Sequence, residues 1–500
     1  MTGAVGQLRA LLALRWQMVR TRRLRVTVVL TSLLLLGLLT ALGRSAGAVD
    51  AVALQTAVQL APAAFLGFGV LAVIAPLTAG GGIEVVPSAQ LVAFPVRPGT
   101  QFLGGLALAP VNLVWVVQLM VLVAETSLLT AGGDPLLGAL TTTAYVGSLT
   151  VLGQALAWLV VGLRQTRLGR RAVAGAAATL LLAALVLIRT GTGAAPLEHG
   201  PTRTVVKGVA AGRDHLLRWG VTTGVLLLLL LAGLALGARL CGWALRRPGD
   251  AHGPSCSRQV RRRADPRSPL RALLAVDRAS AWRAPALRRG ALVLAVLPAT
   301  VAAGARVPWE SLVVLPGLVA AGAGLLFGVN AFCLDAGGAV WLASLPHDPV
   351  LVARSKALVL TETVLAAVTV AAVAGSLRSP GRPTLAELVA IVVSGLTCTA
   401  VVVAAGMAGS VRRPHFAALN GPRDAVAPPG ALALASVRLA LPAAAVGIGL
   451  EGLSQTGRPW LPALVALPLL LLALLWLRRS LSRYAQPARR ARIVQVVSAG

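Results

Sequence analysis

Few residues of this 500-residue chain have the types and spacing that enzyme chemistry requires. A phosphate-binding loop needs GxxxxGK followed by Ser or Thr, and the chain's two lysines, Lys207 and Lys356, both lack that context. The zinc motif HExxH and the nucleophile motif GxSxG do not occur, and the 5 histidines have no metal-ligand spacing. We therefore predict no catalytic residue, no metal site and no cofactor bound by this chain.

Polar side chains inside apolar stretches are the remaining candidates for a site. An ionisable group in a bilayer is expensive and is a functional candidate by default, and Glu362 is the clearest one. Neutral polar groups at membrane depth are more typical of hydrogen bonds between helices. The candidates are Glu362, Asn112, Gln118, Gln154 and Asn330. None is the mid-membrane acid that a proton- or sodium-driven pump would use.

The composition is that of a membrane protein. Hydrophobic residues make up 57% of the chain and the mean hydropathy is +0.81, which is more apolar surface than a soluble protein can bury. The net charge of +30 comes from arginines in short segments between apolar runs, without interleaved aromatic residues. The 4 cysteines form no CxxC pair. We predict an all-α polytopic membrane protein without disulfides that does not bind nucleic acid.

Apolar runs predict twelve membrane spans in two tandem halves of six, separated by a basic, proline-containing stretch. The expected spans are 26–43, 54–78, 102–124, 138–162, 172–188 and 219–238 in the first half, and 290–304, 311–333, 357–376, 386–409, 431–450 and 460–477 in the second. The corresponding domains are an interface helix at 1–25, a first half at 26–238, a linker with a second interface helix at 239–289, a second half at 290–477 and a basic tail at 478–500.

Charge distribution predicts the orientation of these spans. Most of the 46 Lys and Arg fall in segments that are cytoplasmic if both termini are inside, as the excess of basic residues in cytoplasmic loops requires. The main exception is the expected outside loop from Arg189 to Arg218, which is long enough to hold a short amphipathic segment. We predict a multi-pass protein of the plasma membrane with both termini in the cytoplasm.

A basic amphipathic helix is expected before the first span. Its apolar and basic members are Leu8, Leu11, Leu12, Trp16, Arg9 and Arg20. Such a helix lies in the membrane interface, with its apolar side among acyl chains and its arginines at headgroups. The alternative is a basic flank that only orients the first span. The run Leu270–Val276 nearly copies Leu8–Leu14, which indicates that the second half begins as the first does.

Two cytoplasmic loops repeat a second pattern, in which an acid stands eleven residues before a proline and a basic residue follows. The loops lie after the second span of each half and contain Glu84, Leu91, Phe94, Pro95 and Arg97 in the first half, and Asp335, Leu342, Leu345 and Pro346 in the second. A short helix there would expose apolar side chains, which favours a surface for docking a partner. The alternative is a turn packed on the protein's own helices. Both repeats together favour a duplication.

These features resemble the ABC-2 type ABC transporter permeases, in the fused form where two six-span halves share one chain. The resemblance rests on the basic start Leu8–Arg25, its echo Leu270–Arg289 and the two acid-to-proline loops. It implies an interface helix before the first span and a first cytoplasmic loop that docks on an ATPase subunit. The protein would then be the permease of an ATP-driven exporter. A separate ATPase dimer would bind the ATP, and the substrate would be hydrophobic or amphipathic, such as a drug, an antibiotic or a lipid.

Two other classes remain open. A secondary transporter of the major facilitator type also has twelve spans in two halves, and Arg164–Arg171 faintly resembles its basic loop signature, although the run follows the fourth span and has no acid. A membrane-embedded enzyme acting on lipid-linked substrates would need clustered polar groups at an interface, and no such cluster stands out in the sequence.

Overall fold

In the computed structural model, the described residues are 6–7, 51–78, 96–107, 109, 113–130, 134–190, 200–212, 214–247, 268–304, 307–417, 427 and 429–499. They are helical nearly throughout and contain no strand. The predicted span at 26–43, the interface-helix residues Leu8 to Arg20 and the loop residues Glu84 to Pro95 lie outside them.

The described part of the chain contains seventeen α-helices, numbered here in chain order. They are α1 (Ala51–Thr78), α2 (Pro98–Ala107), α3 (Leu113–Leu129), α4 (Pro135–Leu163), α5 (Arg167–Thr190), α6 (Pro201–Ala210), α7 (Leu216–Arg246), α8 (Pro269–Arg283), α9 (Pro285–Gly304), α10 (Trp309–Leu312), α11 (Leu315–Ala323), α12 (Gly338–Ser344), α13 (Pro349–Ser376), α14 (Leu385–Arg412), α15 (Pro429–Ser454), α16 (Trp460–Tyr484) and α17 (Pro487–Val497).

Seven helical segments among the described residues are long and apolar enough to cross a bilayer. They are α4, α7, the segment Trp309–Asp335, α13, α14, the Val437–Ser454 part of α15, and α16. The protein is thus an all-α, multi-pass membrane protein. Each predicted span within the described residues coincides with a helix, with two exceptions. The span 102–124 appears as two helices, α2 and α3, with 108 and 110–112 outside the described part, and the span 311–333 is an interrupted helical segment.

Local sequence signals set where the long helices begin. Pro135 and Pro349 occupy the first turns of α4 and α13, where a missing backbone N–H costs nothing. The preceding residues, Asp134 and Asp348, accept hydrogen bonds from backbone N–H groups of the first turn. Thr384 forms a reciprocal capping box with Glu387 at the start of α14. Apolar sequence therefore supplies the helix interiors, and short polar residues supply their ends.

The contacts divide the chain into two compact units, 1–174 with 194–250 and 175–193 with 251–500. In the first unit, α4 and α7 make the most extensive contact, and α1 packs on α4 and α3. Its core contains Phe65, Phe68 and Tyr145. The short helix α6, in the expected outside loop, buries Val205 and Val209 against the same core.

The second unit centres on α14, which packs on α16, α15 and α11. The segment that begins at Trp309 is interrupted. It runs through α10 and α11, continues as a π-helical turn at Gly324–Gly328 and ends in a 3₁₀ turn at Cys333–Asp335. Backbones approach closely here, since a Cβ at Gly406 of α14 would lie 3.1 Å from backbone atoms of Gly328. Both of these glycines are therefore part of the packing between these segments.

A comparable contact in the first unit gives a stability prediction. A Cβ at Gly153 of α4 would lie 2.2 Å from the carbonyl oxygen of Ala72 on α1, so Gly153→Ala should force the two helices apart. We expect a loss of about 1–3 kcal/mol, measured as a lower thermal unfolding temperature in detergent. The control is Gly147→Ala on the same helix, whose Cβ would meet only Leu230 at 3.5 Å. It should leave that temperature unchanged or raise it, because alanine favours helix. Equal effects of the two changes would contradict the contact.

Candidate functional site

A buried ionic cluster in the second unit joins three separate elements. The Lys356 ammonium lies between two carboxylates, 2.6 Å from Oδ1 of Asp277 and in direct contact with Oδ1 of Asp335. The Ser355 hydroxyl donates a further hydrogen bond to the other carboxylate oxygen of Asp277. The Lys356 side chain is only 4% exposed and that of Asp277 is 9% exposed. Each buried charge therefore has an opposite charge in contact, as burial requires.

Each member of the cluster comes from a different kind of segment. Asp277 lies on α8, the helix that precedes the first span of the second half, and Ser268 caps the start of this helix. Asp335 ends the 3₁₀ turn after the interrupted segment. Lys356 lies two turns inside α13. The cluster thus fixes α8 and the turn after the second span to the beginning of the third span.

A second ion pair joins α8 to α13, from the residue after Asp277 on α8 to a residue further along α13 than Lys356. Arg278 donates two hydrogen bonds to Glu362, with Nε–Oε2 and Nη2–Oε1 distances of 2.8 and 2.5 Å. Both side chains are about half exposed, so this pair contributes less than the buried cluster. Glu362, the clearest ionisable candidate from the sequence, is therefore paired with a residue of α8, the helix predicted to lie in the membrane interface.

The helix α12 stands directly beside this cluster. Ala336, which links it to Asp335, has a φ of 40°, an unfavourable conformation for a residue with a Cβ that surrounding contacts must stabilise. On α12, the side chains of Val340 and Trp341 are 54% and 67% exposed. Leu342 instead packs on the core of the second unit. The helix therefore has one attached face and one exposed apolar face.

Of the loop residues predicted for docking in the second half, some are packed and some are exposed. Asp335 lies in the ionic cluster and Leu342 packs on the core, whereas Leu345 and Pro346 are exposed. One side of this loop thus packs on the protein's own helices and the other is exposed. Docking of a partner stays a prediction.

The C-terminal helix α17 covers the attached face of α12. Ile493 and Val497 are buried, and together with Leu342 they line a gap of about 20 Å³ between the two helices. Phe332 precedes the 3₁₀ turn, and Tyr484 ends α16. Their rings stack with centroids 4.7 Å apart. The stretch predicted only as a basic tail is therefore packed on the predicted docking loop.

In the first half, Arg97 is exposed at the start of α2. Gln7 of the N-terminal segment accepts a hydrogen bond from the Thr100 hydroxyl, 3.1 Å away, and one from the Arg97 backbone N–H. A residue before the first span thus contacts the start of the third span in this half, as Asp277 does in the second. The other first-half residues, Glu84, Leu91, Phe94 and Pro95, lie outside the described residues, as do Leu8, Arg9, Leu11, Leu12, Trp16 and Arg20.

The neutral polar candidates are not brought together into one site. Gln154 is buried in α4, Gln118 is half-buried in α3, and Asn112 lies outside the described part. Asn330 is buried, donates to the His415 carbonyl oxygen and accepts a hydrogen bond from the Phe332 backbone. That pattern fits the expected structural role of such groups between helices.

The ionic cluster joins its three segments by electrostatic attraction. The cavity beside Asp277 and Lys356 is about 40 Å³, a volume for a few water molecules at most, so it is too small for a transported substrate. Within the described residues, no group of three or more His, Cys, Asp or Glu is placed to hold a metal ion. The cluster positions helices, and the face of α12 that carries Val340 and Trp341 is exposed.

Comparison with protein-family models, with curated proteins and with solved structures found no match to the chain.

Lys356 was not recognised from the sequence, because spans were predicted from apolar runs and the charge of Lys356 interrupts such a run. The third span of the second half was expected to begin at 357, which placed Lys356 in a loop, whereas α13 begins at Pro349. One signal was present. In a chain with 46 basic residues, almost all of them arginine, a lysine beside a span stands out, and lysine suits a compact point charge between two carboxylates.

The cluster predicts a specific pattern of stability. Lys356→Met leaves the carboxylates of Asp277 and Asp335 without their positive partner, and we expect a loss of about 3–5 kcal/mol, seen as a lower unfolding temperature in detergent. The triple variant Asp277→Asn, Asp335→Asn, Lys356→Met removes every charge at similar volume and should recover most of that loss. The matched control is Lys207→Met, because the chain's other lysine is exposed. If Lys356→Met were as stable as the wild type, the ion pairing of Lys356 with Asp277 and Asp335 would be contradicted.

Proposed function

We propose that this chain is the membrane-spanning permease of an ATP-driven exporter of the ABC-2 type, with two tandem six-span halves and both termini in the cytoplasm. The observation that carries the proposal is the exposed apolar face of α12, which is mounted on a buried ionic cluster beside the interface helix α8. An exposed apolar patch held in a fixed position is typical of a surface that binds a partner. The partner is a separate ATPase dimer, which binds the ATP.

The internal packing of the two units supports a duplication. In both units the contact between the fourth and sixth expected spans is the most extensive, through α4 with α7 and α14 with α16. The fourth span also donates to a carbonyl of the second in both cases, from Tyr145 to Phe65 at 2.6 Å and from Ser394 to Val313 at 2.9 Å.

Further along, a glycine of the fourth span again meets the backbone of the second span. These glycines are Gly153 in the first unit and Gly406 in the second. The same order of contacts along the same pair of spans favours two copies of one six-span half.

In the proposed mechanism, the ATPase acts on the membrane helices by moving α12. ATP binding closes the ATPase dimer and displaces the docked helix. Because Asp335 is held by Lys356, and Lys356 by Asp277, that displacement reaches α13 and α8 together. The two halves then rearrange around an apolar pathway for a hydrophobic or amphipathic substrate.

The ionic cluster also favours a second candidate, a secondary transporter of the major facilitator type driven by an ion gradient. Buried acids paired with a lysine are groups that proton-coupled transporters use. Against this, Lys356 lies within the first turns of α13, Asp335 ends its segment, and Asp277 belongs to α8, which is not among the segments long and apolar enough to span. Its position fits attachment better than a mid-membrane coupling site.

Docking is tested at Trp341, because it is exposed, rather than at Asp335, whose reversal would break the cluster. The chain is co-purified in mild detergent with a candidate ATPase subunit, and the dissociation constant and ATPase activity are measured. Trp341→Ala should weaken binding by about 30-fold, the effect of removing an interface hot spot. The control is Trp460→Ala, since Trp460 is also exposed and begins α16 at its expected outer end.

The outcomes separate the two candidates. Loss of binding at Trp341 with none at Trp460 supports the permease. If no ATPase associates with the wild-type chain, and transport into proteoliposomes follows an imposed proton gradient, the protein is a secondary transporter. Equal effects of both tryptophan variants would also count against a docking surface on α12.

A further inference from the structure

We propose that the C-terminal helix α17 is the second half of the docking surface, supplying a basic rim beside the apolar face of α12, and that the surface fits an apolar groove of the ATPase rimmed by acidic residues. This inference rests on the proposed function, since it names the chemistry of the partner's surface. The two helices are in contact.

The packing of α17 gives it a defined orientation relative to α12. Ile493 and Val497 are 3% and 1% exposed, and Val494 also packs on the core of the second unit. These positions recur at the spacing of one helical face. Since they contact the same gap as Ala339 and Leu342, α17 holds α12 from its attached side. The exposed side of α12, with Val340 and Trp341, is left facing outward.

The outward side of α17 is basic. Arg489 and Arg492 are exposed, and Arg490 is half-buried at the gap. No acid follows Glu451 in the chain, so these charges have no acidic neighbour on their own helix or on the preceding turn. Arg478 and Arg479, near the end of α16, are exposed as well. An apolar centre with a basic rim is complementary to an apolar groove with an acidic rim, which raises association rate and sets orientation.

The mechanical half of the inference is tested without a partner. Hydrogen–deuterium exchange is measured on peptides covering Gly338–Ser344 in the purified protein. Ile493→Ala should raise their exchange, because α12 loses the side chain that holds it, and a chain ending at Gln486 should raise it further. Gln495→Ala, on the exposed side of α17, is the control. Unchanged exchange in the shortened chain would overturn the role of α17 in holding α12.

The electrostatic half is tested by binding of the ATPase. The double variant Arg489→Glu, Arg492→Glu should weaken binding about tenfold at low salt, and the difference should shrink at about 0.5 M salt, where exposed charges are screened. The matched control is Arg382→Glu, Arg458→Glu, since both arginines are exposed in loops expected on the outer side. It should bind the ATPase as wild type does.

Each outcome has a distinct meaning. If the wild-type chain does not bind the ATPase, the proposed function fails, and the acidic-groove partner fails with it. If wild type binds and the Arg489 and Arg492 variant binds equally well, only this inference is overturned. A stabilisation by phosphatidylglycerol over phosphatidylcholine that depends on Arg489 and Arg492, with ATPase binding unchanged, assigns the rim to the lipid surface and also overturns it.

Discussion

One buried positive charge constrains how the second unit is built. An ammonium removed from water is tolerated only where opposite charges replace its hydration, and the two carboxylates that meet Lys356 come from segments far apart in the sequence. Neither α8 nor the turn at Asp335 can leave α13 without exposing an unpaired charge. The position of α12, which begins three residues after Asp335, follows from that constraint. The strained linker at Ala336 is tolerated for the same reason.

Elsewhere, each unit is stabilised by close apolar packing among its own helices. Long helices need not hide all of their apolar surface from lipid, so exposed leucines on α7 and α16 are ordinary here. What specifies the arrangement is where backbones approach, at Gly153 against Ala72 and at Gly406 against Gly328. Packing of small residues sets which helices are neighbours, and the ionic cluster sets how α8 and the turn at Asp335 attach to α13. Among the residues that the structure describes, the first kind of contact is repeated in both units and the second is found in one.

Hydropathy was sufficient to predict the helices but not their attachments. The apolar runs of α4 and α14 located both helices within a few residues, because burial in a bilayer requires long uninterrupted apolar sequence. The same method placed the start of the third span of the second half at 357, directly after the charge of Lys356. It therefore separated Lys356 from the helix that carries it. The C-terminal helix was taken for a tail because its arginines dominate its composition, although Ile493 and Val497 already had helical spacing. Pairing between distant segments has no local signal, and only the folded chain brings Asp277 and Asp335 together.

The cluster also bears on the history of the gene. Aligning the prolines that begin α2 and α13 places Gly104 and Gly105 opposite Ser355 and Lys356, so under the proposed duplication only one copy carries the lysine. A half-length ancestor that assembled as a homodimer would have had every such change twice, by symmetry. Under that proposal, fusion into one chain would have released each half to diverge separately. The two subunits of the proposed ATPase dimer would then meet two unlike membrane surfaces, and the transport cycle would have an inherent order rather than two interchangeable sides.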